Sequence, residues 1–235
     1  MSRLLYDLAG ADERLRFSPY CWRIKMALAH KRLAFETVPW RFTDRDAIAF
    51  SGQAKVPVFM DGEHTVTDSW AIATYLEDAY PDRPSLFGGP GGLAVTRFMN
   101  SWGDRVVMGG VAALIVADVV PNLAERDREY FIASREKMFG KPLDEVVAGR
   151  HDSVKAFRAA LDPMRAVLRH QPFIGGAQPL YADYIPFGVF QWARCISPFE
   201  LLAPDDPLWA WRERLLDQHD GLARKAITRE AATTG

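Results

Sequence analysis

The chain has 235 residues, of which 49% are hydrophobic and 12% aromatic, and its formal net charge is −1. This composition fits a globular protein and not a disordered chain, and the near-neutral charge gives no reason to expect nucleic acid or an anionic membrane as a partner. The two cysteines are too few for a disulfide framework, and no long apolar leader precedes the first predicted strand. We therefore expect reduced thiols and a cytoplasmic location.

The first 80 residues predict alternating strands and helices. In chain order the predicted elements are a strand at 3–8, a helix from Ser18 to about Lys31, a strand at 33–40, a short helix at 43–50, strands at 56–60 and 63–67, and a helix from Asp68 to about Tyr80. Asp61-Gly62 stands between the two adjacent strands, and this dipeptide is a strong signal for a two-residue hairpin turn.

Residues 81–92 are dense in proline and glycine and mark the best domain boundary in the chain. We predict an N-terminal domain at 1–80, a linker at 81–91 and an all-helical domain at 92–235. Predicted helices in the second domain cover 93–120, 122–139, a short part of 141–150, 152–170, 182–195 and 207–218. The most apolar window, 106–120, is broken by Gly109, Gly110 and Asp118, so it predicts a buried helix and not a membrane span.

The segment from Ser18 to Leu28 carries the strongest chemical signal. Ser18 is a good N-cap, and Pro19 falls at the first helical position, where a missing N–H costs nothing. The free amides and partial positive charge of a helix N-terminus favour an anion, either a phosphate or a thiolate. Ser18 is therefore a candidate for holding an anion, and a plain helix cap is the alternative.

Four motifs, in this order along the chain, resemble the cytosolic glutathione transferases of the serine type. They are Ser18-Pro19-Tyr20-Cys21-Trp22-Arg23, Lys55-Val56-Pro57, Asp68-Ser69 and Ala182-Asp183-Tyr184. The resemblance implies a thioredoxin-like N-terminal domain of order βαβαββα followed by an all-α domain. It also implies glutathione as co-substrate and a homodimer.

Short motifs in the second half resemble a narrower group, the bacterial lignin β-etherases and the related fungal-type (FuA-like) transferases. They are Asp127-Arg128-Glu129-Tyr130, Ser134-Arg135-Glu136, Ala148-Gly149-Arg150, Gly175-Gly176 and Asp205-Asp206-Pro207-Leu208. This likeness implies cleavage of a β-aryl ether by glutathione. Leu180 departs from the family pattern, because it stands where a Ser, Thr or Asn usually caps the helix together with Asp183.

The resemblance assigns a role to each motif residue. Ser18 would stabilise the glutathione thiolate, which attacks a hydrophobic or aryl electrophile. Val56, before a cis Pro57, would present its backbone N–H and C=O to the cysteinyl part of glutathione. Lys55 and Arg41 would meet the glycyl carboxylate, although Arg41 also reads as a solvated surface charge.

The same resemblance places the γ-glutamyl end at the start of the next helix. Asp68 would bind its amine, and Ser69 with the helix N-terminus would hold its carboxylate. Asp104 is a further candidate for the amine. Aromatic walls suit an aryl electrophile, and the candidates for such a pocket between the domains are Phe17, Tyr20, Trp40, Trp102, Met108 and Trp192.

Alternatives to this mechanism remain open. Cys21 could form a mixed disulfide with glutathione, which would make the protein a thiol oxidoreductase, and Tyr6 could donate its phenol to the sulfur. No Cys-x-x-Cys is present, which argues against a dithiol reaction. A module that binds glutathione without catalysis is the third reading. No two histidines have metal-ligand spacing, so we predict no metal site.

Overall fold

A computed structural model describes residues 2–229, so the last six residues of the predicted helical domain lie outside it. The N-terminal part contains one mixed sheet of four strands in the order β2-β1-β3-β4. The strands are β1 (Arg3–Leu8), β2 (Glu36–Trp40), β3 (Val58–Asp61) and β4 (His64–Thr67). β1 runs parallel to β2 and antiparallel to β3, and β3 pairs with β4 across a turn at Gly62-Glu63, one residue later than the predicted Asp61-Gly62, because Asp61 pairs with His64 as the last residue of β3. Helices α1 (Pro19–His30) and α2 (Ser69–Ala79) complete a thioredoxin-like domain, which confirms the predicted fold class.

The second part is helical, as predicted. Its α-helices are α3 (Pro90–Trp102), α4 (Gly109–Ile115), α5 (Glu125–Phe139), α6 (Leu143–Val147), α7 (Arg150–Ala160), α8 (Asp162–Leu168), α9 (Tyr181–Ile196) and α10 (Pro207–Gly221). Among residues 2–229, no helix is long and apolar enough to cross a membrane.

Helix α9 is the centre of the molecule, because all but one of its residues are buried and it packs along α1. Gly188 permits this close approach: a Cβ atom there would lie 2.3 Å from the carbonyl oxygen of Pro19. Tyr181, at the start of α9, donates its hydroxyl to the Ser69 carbonyl oxygen at 2.8 Å. The hydrophobic cores of the two parts are therefore continuous.

Asp183 links the loop before α9 to the start of that helix through hydrogen bonds. Its carboxylate accepts the backbone N–H groups of Ile174 at 2.7 Å and Gly175 at 2.8 Å, and the indole N–H of Trp211 at 2.9 Å. It also accepts the Leu180 backbone N–H at 3.0 Å. Leu180 has no polar side-chain atom, so only the Asp183 half of the reciprocal cap can form.

The predicted helix at 93–120 is wrong as a single α-helix. The segment starts at Pro90 and contains α3, a π-helix (Gly103–Met108), α4 and a 3-10 helix (Val116–Asn122). Gly103, the first residue of the π-helix, packs closely on α9, because a Cβ atom there would lie 2.5 Å from the Ile185 side chain.

The predicted helix at 152–170 is divided into α7 and α8, since Leu161 leaves the helical conformation and Pro163 opens the second helix. Proline lacks the N–H that an uninterrupted helix would need at this position. The predicted short helix at 43–50 is a 3-10 helix (Arg45–Ser51).

Candidate functional site

A groove of about 330 Å³ lies where the N-termini of α1 and α2, the segment before β3 and the π-helix meet. It is lined by Tyr20, Gln53, Lys55, Val56, Pro57, Asp68, Ser69 and Asp104. The groove thus brings together two motifs that are separated in sequence, Lys55-Val56-Pro57 and Asp68-Ser69. Gln53 is a lining residue that sequence reasoning missed, because nothing in its local pattern distinguishes it from a polar loop residue.

The Val56–Pro57 peptide bond is cis, as the motif led us to expect. It lies immediately before β3, whose first residue Val58 is fully buried. Pro57 therefore stands at the point where the chain leaves the groove and enters the sheet. Val56 is half-buried at the same edge, next to Lys55.

Asp68 caps α2 while remaining exposed in the groove. One of its carboxylate oxygens, Oδ1, accepts the backbone N–H groups of Trp70 at 2.9 Å and Ala71 at 3.1 Å. Its backbone has φ 74° and ψ 133°, a conformation that residues other than glycine rarely adopt. The cap predicted from the sequence is thus present, and its carboxylate also faces the groove.

Asp104 reaches the groove from the π-helix and is held by two side chains. Arg23 donates to it at 2.7 Å, and Asn100 donates to its other oxygen at 3.2 Å. Arg23 is fully buried, and its guanidinium lies 4.6 Å from the centre of the Tyr20 ring. π-Helical segments frequently occur at functional sites. The structure thus places Asp104 on the groove and Arg23 directly behind it.

Sequence reasoning gave Arg23 no role of its own. A usable signal was present, because Arg23 follows Tyr20 by three residues and so shares a helix face with it. Its carboxylate partner lies 81 residues further along the chain, and no local pattern identifies that partner.

Ser18 occupies the N-cap position of α1, as predicted, and its Oγ accepts the Cys21 backbone N–H at 3.2 Å. Only 3% of Ser18 is exposed, and Ser18 is not among the residues that line the groove. The cap is therefore observed. The contact with sulfur stays a prediction.

Tyr20 is the one predicted electrophile-pocket residue that lines the groove. Burial raises the pKa of its phenol, so the hydroxyl keeps its proton and can act as a hydrogen-bond donor. Phe17, Trp40 and Trp192 are buried instead in the hydrophobic core. A large apolar side chain gains more from complete burial than from lining an open groove.

Trp102 and Met108 are partly buried and pack against the same core. Arg41 also lies away from the groove lining, since its guanidinium donates to the Gly10 carbonyl oxygen at 3.1 Å and pairs with Glu13 at 3.2 Å. The structure therefore does not bring Arg41 to Lys55.

Both cysteines are buried, free thiols. Burial, with a contribution from Asp7, raises the pKa of the Cys21 thiol well above its ordinary value. Burial raises the pKa of Cys195 to about 11. The Cys21 Sγ donates to the Tyr6 carbonyl oxygen at 3.7 Å, and the Tyr6 ring packs against Phe50 with centroids 5.5 Å apart. A thiolate at Cys21 is thus disfavoured near neutral pH, and neither Cys21 nor Tyr6 lines the groove.

Residues 14–84 match the family model for the N-terminal domain of glutathione S-transferases. Residues 94–218 match the family model for their C-terminal domain, and this match covers more than half of the chain. The chain belongs to the glutathione S-transferase family. The two matched ranges correspond to the thioredoxin-like part and the helical part described above.

Curated glutathione S-transferases are similar over parts of the sequence. A glutathione S-transferase-like protein of Aspergillus flavus, ustS, is 33% identical over 142 residues, which are 54% of this chain and 49% of that protein. Glutathione S-transferase Z1 of Arabidopsis thaliana is 33% identical over 88 residues, which are 33% of this chain and 39% of that protein. These matches span about half or less of each relative's own length.

Solved glutathione transferases share the whole fold. The crystal structure of GSTFuA3 from Phanerochaete chrysosporium has a TM-score of 0.76 and 26% identity, covering 100% of this chain and 98% of that one. A glutathione S-transferase of Ceriporiopsis subvermispora, crystallised in complex with glutathione, has a TM-score of 0.79 and 21% identity. That likeness covers 94% of this chain and 97% of the other, and it shows a common fold.

Proposed function

We propose that this glutathione S-transferase binds glutathione in the groove and catalyses attack of the glutathione thiolate on an electrophilic carbon. The observation that carries the proposal is the convergence of Lys55, Val56, Pro57, Asp68 and Ser69 on one groove. These residues come from two separate segments of the sequence. The fold brings them to one surface at a helix N-terminus, which favours an anionic group.

The charges of the groove fit the charges of the tripeptide. Glutathione carries one amine and two carboxylates, and the groove offers the carboxylates of Asp68 and Asp104 and the ammonium group of Lys55. We assign the amine to Asp68 and Asp104, and the glycyl carboxylate to Lys55. The γ-glutamyl carboxylate is assigned to Ser69 and the amides at the start of α2, and the cysteinyl backbone to Val56.

The chemical task of the site is to remove the thiol proton. A free thiol has a pKa of about 8.5, and lowering it by about two units corresponds to about 2.7 kcal/mol. Ser18 already accepts the Cys21 backbone N–H through Oγ, so its own hydroxyl proton is left to donate to sulfur. The N-terminus of α1 adds a favourable partial charge. Tyr20 is a second donor, because its phenol lines the groove.

In the proposed reaction the thiolate sulfur forms a bond to the electrophilic carbon, and the bond from that carbon to its leaving group breaks. The resemblance to the β-etherases and FuA-like transferases favours a β-aryl ether as one substrate. In that case the leaving group is an aryloxide. The aryloxide takes up a proton, and the products are a phenol and a glutathione thioether.

A homodimer is part of the proposal. Val95 and Phe98 on α3 are large apolar side chains that are 70% and 72% exposed in the single chain. Exposed neighbouring apolar side chains are typical of an interaction surface. A second copy is the partner that the family resemblance implies. Light scattering after size exclusion tests this assignment, with Phe98→Asp expected to yield the monomer.

The burial of Ser18 favours one competing function, a module that binds glutathione without turning over an electrophile. The experiment that separates the two follows the pKa of bound glutathione by thiolate absorbance in the native protein, Ser18→Ala and Tyr20→Phe. A lowered thiol pKa that rises in Ser18→Ala, together with turnover of an aryl halide or a β-aryl ether, supports catalysis through Ser18. If the thiol pKa rises only in Tyr20→Phe, Tyr20 and not Ser18 is the residue that stabilises the thiolate. Binding with an ordinary thiol pKa in all three proteins supports the binding module.

A further inference from the structure

A second cavity, of about 360 Å³, lies at the C-terminal end of α1, whereas the groove lies at its N-terminal end. Its polar lining consists of His30, Arg32, Gln178, Gln218 and His219. None of its lining residues belongs to the groove. The proposed glutathione chemistry uses none of these side chains.

A chain of hydrogen bonds fixes the tautomer of each histidine in this cavity. His30 Nε2 lies 3.1 Å from the Ser85 carbonyl oxygen, which can only accept, so Nε2 carries the proton. Burial lowers the pKa of His30, so the ring is neutral at neutral pH and its Nδ1 has a lone pair. The Tyr184 hydroxyl is 2.8 Å from this Nδ1 and donates its single proton to it.

The Tyr184 oxygen must therefore accept from its second neighbour. His219 Nε2 lies 3.1 Å away and donates its N–H to that oxygen. Burial lowers the pKa of His219 to about 4, so this ring is also neutral and its Nδ1 has a free lone pair. In the described part of the chain, no group donates a hydrogen bond to His219 Nδ1. His219 lines the cavity, and its ring offers Nδ1 as a hydrogen-bond acceptor.

Arg32 is an exposed cation that lines the cavity. Between residues 2 and 229, no side chain forms an ion pair or a hydrogen bond with the Arg32 guanidinium. Arg32 follows the last turn of α1 with φ 55°, and His219 interrupts α10 with φ 52°. Glycine is the usual residue at such backbone positions. Two chemically active side chains therefore occupy strained positions on the rim of one cavity, which is a pattern typical of functional sites.

These groups together define the chemistry of a ligand. Arg32 suits a carboxylate, His219 Nδ1 suits a hydroxyl or amino hydrogen, and the side-chain amides of Gln178 and Gln218 can serve either. Pro84 and Pro179 supply apolar walls. We infer that this cavity is a second binding site, separate from the glutathione groove, for a small carboxylate that carries a hydrogen-bond donor on a flat apolar body.

Two matched probes test the inference on the full chain by calorimetry at neutral pH, each titrated both without glutathione and in the presence of saturating glutathione. 4-Hydroxybenzoate has the carboxylate and the donor, whereas 4-methoxybenzoate keeps the carboxylate and lacks the donor. We expect the first probe to bind about tenfold more tightly than the second, since only the first can donate to His219. Equal affinity of the two probes, or displacement of 4-hydroxybenzoate by glutathione, would overturn the inference.

Three variants locate the bound probe. We expect Arg32→Gln and His219→Asn each to weaken 4-hydroxybenzoate binding by about tenfold or more, because each removes one polar contact. Asparagine tolerates the left-handed backbone at 219, so this variant keeps the local fold. Arg169→Gln is the matched control, an exposed arginine that does not line the cavity, and it should bind like the native protein. Equal binding by all variants, or no binding by the native protein, contradicts the inference.

Discussion

The Arg23 guanidinium and the Asp104 carboxylate are 2.7 Å apart and join α1 to the π-helix at the edge of the groove. Arg23 is fully buried, whereas the Asp104 side chain is 34% exposed. The buried arginine therefore holds a partly exposed carboxylate in place. This arrangement fixes the position of the carboxylate that we propose as a partner of the glutathione amine.

Removing the charge at Asp104 should cost both stability and glutathione affinity. Asp104→Asn leaves the buried Arg23 without an anionic partner, and we expect the free energy of unfolding to fall by about 2 kcal/mol. Urea unfolding measures this loss, and calorimetry with glutathione measures the affinity. Asp82→Asn, an exposed aspartate, is the control and should change neither quantity. A fully stable Asp104→Asn with native affinity would contradict the role of the pair.

A single methyl group at Gly188 should disrupt the packing of α1 on α9. The added Cβ atom would lie 2.3 Å from the backbone oxygen of Pro19, which cannot move without shifting α1. We expect Gly188→Ala to lower the free energy of unfolding by about 1–3 kcal/mol. Gly109→Ala is the matched control, because its Cβ would contact nothing within 4 Å. The control should gain about 0.5–1 kcal/mol from helix propensity, and a Gly188→Ala that gains as much would refute the packing argument.

Cys21 should be unreactive in the folded protein. Burial raises the pKa of its thiol well above the ordinary value, so the thiolate is scarcely populated between pH 7 and 8. We expect mass spectrometry after iodoacetamide treatment to find Cys21 and Cys195 unmodified in the native protein and both modified after unfolding. Incubation with oxidised glutathione should likewise leave Cys21 free. A mixed disulfide at Cys21 would revive the oxidoreductase mechanism.

His219 should make the folded protein sensitive to acid. Its pKa falls from the ordinary 6.5 to about 4 in the folded chain because the ring is buried. As the pH falls, His219 is therefore protonated in the unfolded chain before it is protonated in the folded one. Protonation thus favours the unfolded chain, and the free energy of unfolding decreases progressively between pH 6.5 and 4. We expect His219→Asn to show a shallower loss of unfolding free energy over that range than the native protein. His170→Asn, at an exposed position, should keep the native slope.

The order of the elements could be predicted because local signals were strong and mutually consistent. Ser18 and Asp68 are helix caps in the structure, and the hairpin between β3 and β4 is present, with its turn at Gly62-Glu63, one residue later than the predicted Asp61-Gly62. Each signal depends on residues within a few positions of one another. The same is true of the Val56-Pro57 motif immediately before β3.

Features that depend on contacts between distant segments could not be predicted in this way. The π-helix places Asp104 against Arg23, yet a hydrophobic pattern does not distinguish it from a turn of α-helix. An aromatic side chain can lie either in the core or in the wall of a pocket, so the sequence alone could not assign Trp40 and Trp192 to one of the two. Only the tertiary packing decides between them, and here both residues are buried.

The most direct test of the central proposal is calorimetric titration of the native protein and of Asp68→Asn with glutathione. Asparagine keeps the helix cap and tolerates the positive φ at this position, so the variant removes the charge while retaining the fold. We expect the native protein to bind glutathione, Asp68→Asn to bind at least about tenfold more weakly at an unchanged melting temperature, and Asp205→Asn, an exposed control, to bind like the native protein. Native protein that does not bind glutathione, or Asp68→Asn that binds it equally well, would contradict the assignment of the groove.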